Sequence, residues 1–212
     1  MKLDLSILNL DYKNVERDLN KLIDILDYVH LDVMDGVFVN NISFGPDFIK
    51  SIRSLTDKIF DTHLMIIDPI KYIKQFAEAG SNYITFHVEA ASDVMETINL
   101  IKSYNVKPGI SIKPNTKVEE IKKYLPYVDQ VLVMSVEPGF GGQGFMPNSI
   151  DKVKELYNLR KENNYNYLIN IDGGINDKTI ELVKDYIDMA VVGSYITKAS
   201  DKVASANKIK NA

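Results

Sequence analysis

Apolar positions follow two alternating rhythms along the chain. Short runs rich in Ile, Val and Tyr recur at Lys2–Leu8, Tyr28–Val33, Lys58–Met65, Tyr83–Val88, Lys107–Ile112, Gln130–Met134, Tyr167–Asp172 and Met189–Val192. Their length and near-continuous apolarity predict buried parallel strands. The stretches between them carry apolar residues at helical spacing: Val15, Leu19, Leu22, Ile23 and Leu26; Phe48, Ile49, Ile52 and Leu55; Ile150, Val153, Leu156 and Tyr157. Thr116-Lys117-Val118-Glu119 has the form of a capping box opening the helix after the fifth strand. Eight strand–helix units in a chain of this length predict an α/β fold, with residues 1–212 forming a single (β/α)8 TIM barrel. A doubly wound open sheet is the alternative pattern, but the Gly-x-Gly-x-x-Gly turn such a fold usually carries after its first strand is absent.

Composition narrows the chemistry. The net charge of −4 comes without a long basic block, which argues against a nucleic-acid or anionic-membrane surface. Phosphate binding, if present, is expected from local backbone geometry. With no cysteine, disulfides and thiolate metal sites are excluded, and any metal must use His, Asp or Glu. No apolar run approaches a membrane span, and Met1–Ser6 does not open a signal-peptide core, so a cytoplasmic protein is expected.

The chain has three histidines, His30, His63 and His87, and all fall in predicted strands two, three and four. His30, Asp32 and Met34 alternate and share one strand face, as do Asp61, His63 and Met65. Asp172 ends strand seven before two glycines. Each has an ordinary reading: a structural His–Asp pair for strand two, a turn-starting Asp for Asp172. In a barrel, however, His30, Asp32, His63 and Asp172 converge on one mouth, a donor set suited to a divalent Zn, Fe, Mn or Co ion without choosing among them. His87 is expected behind these four as a supporting residue. Gly139, Phe140, Gly141 and Gly142 after strand six, Gly173 and Gly174 after strand seven, and Gly193 and Ser194 after strand eight form glycine-rich loops. Alone such a loop is often only a turn, but barrels commonly bind phosphate at the loops after strands seven and eight.

Successive segments resemble the ribulose-phosphate 3-epimerase family: Ser6-Ile7-Leu8, His30–Gly36 (HLDVMDG), Asp61–Met65 (DTHLM), Thr85–Ala90 (TFHVEA), Val133–Gln143 (VMSVEPGFGGQ), Asp172–Ile175 (DGGI) and Gly193-Ser194. The resemblance spans nearly the whole chain in order. It implies a metal-dependent isomerase of the pentose phosphate pathway that interconverts D-ribulose 5-phosphate and D-xylulose 5-phosphate through an enediolate. It further implies His30, Asp32, His63 and Asp172 as metal ligands, with Asp32 and Asp172 also the two acid/base groups. Ser6, His63 and Asp172 would contact substrate, Met34, Met65 and Met134 would form an apolar collar, and the glycine loops with Ser194 would hold the phosphate. The implied partner is a small phosphorylated ketose, with a homo-oligomer left open. The family pattern is departed from at Asp4-Leu5, where Ala-Pro is usual, and at Val37 and Asn40, where His and Pro are common. Competing readings are a 3-epimerase of a ketohexose phosphate such as allulose 6-phosphate, a metal hydrolase on a barrel, and a non-catalytic sugar-phosphate binder.

Overall fold

A computed structural model describes residues 1–212. Eight parallel strands close a barrel in sequence order: β1 (Lys2–Ser6), β2 (Tyr28–Met34), β3 (Ile59–Met65), β4 (Tyr83–His87), β5 (Lys107–Ile112), β6 (Gln130–Met134), β7 (Leu168–Asp172) and β8 (Met189–Val192), with β8 paired to β1. The α-helices are α1 (Val15–Asn20), α2 (Pro46–Ile52), α3 (Ile73–Glu78), α4 (Val94–Ser103), α5 (Asn148–Asn163), α6 (Ser194–Thr197) and α7 (Lys202–Lys210). No helix is long and apolar enough to cross a membrane.

Alternation along the strands sorts side chains into two compartments. Leu3, Leu5, Leu31, Val33 and Leu64 point outward and join Leu19, Ile49, Leu156 and Ile209 in one apolar cluster of 47 buried residues. This continuous layer between strands and helices carries most of the apolar burial, at about 1.5–3 kcal/mol for each fully buried large aliphatic side chain. The inward positions form layers instead. Tyr28, Tyr83 and Met189 make an apolar floor. Above it lie Asp4, His30, Asp61, Thr85, Gln130 and Asn170, all fully buried and polar. The Gln130 amide donates to Asp61 Oδ2 (2.9 Å) and Thr85 Oγ1 (3.0 Å). Gly109 of β5 belongs to this layer, and a Cβ there would stand 2.2 Å from Thr85 Oγ1, so no larger residue fits.

Helical regions depart from the sequence expectation in two places. The apolar spacing over Val15–Leu26 does not give one continuous helix: α1 ends at Asn20 and residues 21–25 are turns. Val15, Leu19, Leu22 and Leu26 are nevertheless all buried. The spacing reports a buried face, which tighter turns can present as well as an α-helix. After β5, Val118–Tyr127 is a 3-10 stretch rather than an α-helix, and it opens one residue later than Thr116-x-x-Glu119 implies. Glu120 accepts from the Lys117 backbone N–H at 2.8 Å. The Thr116 hydroxyl is committed elsewhere, donating to Glu89.

Candidate active site

Strand register assembles the site. Between β2 and β3, His30 lies opposite Asp61, Asp32 opposite His63 and Met34 opposite Met65. Asp172, the last residue of β7, lies opposite Met134 of β6. One donor atom each from His30, Asp32, His63 and Asp172 falls within 4.8 Å of all the others. Asp32 Oδ1 is 3.4 Å from His30 Nε2 and 3.3 Å from His63 Nδ1. Asp172 Oδ2 is 3.9 Å from the same two nitrogens. The Ser6 hydroxyl donates to Asp32 Oδ2 at 2.7 Å, fixing that carboxylate from the β1 side.

The donor set fits a divalent cation. His30 Nδ1 faces Asp4 Oδ2 (3.1 Å) and Asp61 Oδ2 (3.2 Å), so the ring proton has acceptors there. Its Nε2, fully buried, has no hydrogen-bond partner although it points at the two site carboxylates. Facing two buried carboxylates, this edge of the ring calls for positive charge, either a proton on Nε2, toward which, against burial, those carboxylates raise the His30 pKa, or a cation held between the donors. Two imidazole nitrogens and two carboxylate oxygens are the ligand chemistry of a transition ion. His87 stands behind the cluster, its Nε2 3.0 Å from His63 Nε2.

The electrostatics separate the two carboxylates. Burial pushes Asp172 up to about 6, reinforced by the charge of Asp32 beside it. Burial opposes ionisation of Asp32 as well, but His30 and His63 overcome it and hold Asp32 well below the usual range. One member is therefore readily ionised while its neighbour retains a proton more easily. Deeper in, burial pushes Asp4 up to about 8. Asp61 goes the other way, held down against burial by His30 and the Gln130 amide. Asp4 is thus the member of that buried pair that carries the proton.

A cavity of about 350 Å³ opens above the cluster. Ser6, Asp32 and Asp172 line its base, and Met34, Met65 and Met134 line its walls. His30 and His63 lie beneath, fully buried. The far end is built by Gly139, Phe140, Gly141, Gly142, Gly173, Gly174, Gly193 and Ser194. Gly142 has φ +81°, and a Cβ on it would project toward Ser194 Oγ (3.5 Å) and Lys198 Nζ (3.9 Å). That small hollow exists because the residue is glycine. Across the mouth, the Asn41 amide donates to the Gly139 carbonyl at 2.7 Å, tying the loop after β2 to the loop after β6.

The description "Ribulose-phosphate 3 epimerase family" matches residues 2–197 of this chain. The chain belongs to that family. A ribulose-phosphate 3-epimerase of Aquifex aeolicus is 43% identical over 186 residues, covering 87% of this chain and 84% of the relative. One from Treponema pallidum is 41% identical over 191 residues, 89% of this chain and 88% of the relative. One from Chlamydia pneumoniae is 36% identical over 212 residues, 99% of this chain and 90% of the relative. Among solved structures, 3-hexulose-6-phosphate synthase from Salmonella typhimurium superposes with TM-score 0.76 at 22% identity, covering 100% of this chain and 97% of that one. A 3-keto-L-gulonate-6-phosphate decarboxylase from Vibrio cholerae gives 0.75 at 15% identity, covering 99% and 95%. At such identities the structural likeness concerns the fold alone.

Two residues at the glycine-lined end, Asn9 and Lys198, are not among the residues that the sequence motifs single out. The Asn9 amide donates to Ser194 Oγ at 3.3 Å, and the Lys198 ammonium stands beside the Gly142 hollow. Lys198 follows Ser194 by four positions, a helical spacing that would have placed both on one side of α6. Asn9 carries no comparable signal.

Proposed function

We propose that residues 1–212 act as one catalytic barrel that interconverts D-ribulose 5-phosphate and D-xylulose 5-phosphate. The observation that carries this reading is the pair of carboxylates from β2 and β7 at the base of one cavity, clustered with the two imidazoles of His30 and His63. Epimerisation at C3 requires a proton removed next to the C2 carbonyl and a proton returned to the opposite face. An ionised carboxylate takes the C3 proton, the C–H electron pair moves onto the C2 oxygen, and the partner carboxyl delivers its proton to the other face of the planar enediolate. Two groups on different strands do this without rotating the substrate. His30, Asp32, His63 and Asp172 would hold a divalent ion, with Zn, Fe, Mn and Co all compatible with the donors. When bound, the ion supplies positive charge that stabilises the oxygen anion developing in the transition state. Ser6 orients Asp32, and the three methionines keep water from the enediolate.

The glycine-lined end would take the phosphate, through backbone N–H groups with Ser194, Asn9 and Lys198 beside them. Replacing Gly142 by Val puts branched carbon into the hollow and forces a positive φ on a β-branched residue. KM is expected to rise by about 10-fold or more, the loss of one charge-assisted hydrogen bond, while kcat changes less. Steady-state kinetics on the folded variant check this; an unchanged KM would put the phosphate elsewhere.

The direct test is proton NMR of the metal-replete protein with ribulose 5-phosphate in deuterium oxide. Xylulose 5-phosphate should appear with solvent deuterium at C3, and allulose 6-phosphate assayed alongside should turn over more slowly. No epimer from metal-replete, folded protein would overturn the proposal.

A further inference from the structure

The Thr85–Ala90 segment supplies His87 and Glu89, which the proton transfer itself does not use. Both connect to His63. His63 Nε2 is 3.0 Å from His87 Nε2, and His87 Nδ1 is 3.1 Å from Glu89 Oε2. The two imidazoles are fully buried. The Phe38 ring packs on His87 with centroids 4.8 Å apart, leaving that ring little access to water as a substitute partner. Glu89 is itself anchored: Oε1 accepts from the Lys113 backbone N–H at 2.8 Å and from the Thr116 hydroxyl. Burial works against its ionisation, but His87 and these donors prevail and bring it down to about 2.

An N···N contact of 3.0 Å between two imidazoles needs one hydrogen between them. A carboxylate only accepts, so His87 donates through Nδ1–H and presents a bare Nε2. His63 must then donate through Nε2–H, which leaves His63 Nδ1 with its lone pair exposed. That nitrogen is the one facing Asp32 Oδ1 and Asp172 Oδ2. The reverse polarity would put a hydrogen on His63 Nδ1, where it would bond to Asp32 and block a cation.

We propose that Glu89, acting through His87, is a positioning residue that fixes the tautomer of His63 and so keeps Nδ1 available to a divalent ion. This rests on the reading of His63 as a metal ligand. The arrangement parallels the Asp61 carboxylate, beside the protonated Asp4, that receives the Nδ1 proton of His30. Each histidine of the cluster thus has its distal nitrogen assigned by an acid outside the cluster.

The test uses the full chain, stripped of metal and labelled with nitrogen-15. Long-range proton–nitrogen spectra report the His63 tautomer, and chelator competition measures the Co²⁺ dissociation constant. Wild type should show one His63 tautomer, protonated at Nε2. Glu89→Ala should populate the Nδ1–H form and weaken Co²⁺ by roughly 10–100-fold. Glu89→Gln, whose carbonyl can still accept from His87, should fall between the two, and it gives the readout if the alanine variant does not fold. A merely structural role would lower the melting temperature without moving the tautomer. Folded Glu89 variants that retain both the wild-type tautomer and the wild-type Co²⁺ affinity overturn the inference. A wild-type protein that binds no Co²⁺ overturns the metal site itself, and the inference with it.

Discussion

Asp32→Asn and Asp172→Asn are each expected to lower kcat by at least about 10²–10⁴, the contribution of a positioned proton-transfer group. Both substitutions also remove an anionic member of the cluster that lies within 4.8 Å of two imidazole nitrogens. Metal content must therefore be measured in the same samples, because an empty site mimics lost chemistry. Partial reactions separate the two roles. If each carboxylate serves one face of the enediolate, a metal-loaded variant keeps exchanging the C3 proton of one epimer with solvent but fails to invert it. The two variants should then favour opposite epimers. Near-normal epimerisation by both metal-loaded variants would transfer the proton chemistry to other residues.

Removal of the metal is the second large effect. Exhaustive chelation should abolish turnover while far-UV circular dichroism and cooperative unfolding persist. The reason is spatial: the 47-residue apolar cluster lies between strands and helices, whereas the four site residues sit on the inward face of β2, β3 and β7. The stripped protein still loses the stabilisation of a bound ligand, about 4 kcal/mol at a thousandfold excess over Kd, for a fall in Tm of about 10 °C in a domain of this size. Added Zn, Mn, Fe or Co should be tried separately for recovery. Activity that survives at near-zero metal content would remove the ion from the mechanism.

The strands were legible because their side chains obey a period of two and their outward face is almost wholly apolar, while the inward face carries the buried polar residues. The sequence His30-x-Asp32-x-Met34 is a vertical section through the barrel interior, and register with β3 completes it. Crossover segments were less legible, since helical spacing over Val15–Leu26 records burial but not backbone continuity. Thr116 shows a second limit: its hydroxyl could cap a local helix or reach a distant carboxylate, and the choice was made by Glu89, 27 residues away. The same kind of distance hid the Asn9–Ser194 contact, 185 residues apart in the chain. Asp4 was visible only as a departure from the family pattern, and its place beside His30 depends on barrel closure.

The two compartments of the barrel have a consequence for how such a protein can change. Cohesion resides in the outer annulus, while the inner column of His30, Asp32, His63, Asp172 and their supporting acids contributes little to that annulus. Groups at the open mouth, above the tightly packed layer of Asp4, His30, Asp61 and Gln130, can therefore change with less disturbance to strand register than a change in the annulus would bring. In such a chain the groups that react and the groups that hold the barrel closed are largely different residues, so a change in one set need not be a change in the other.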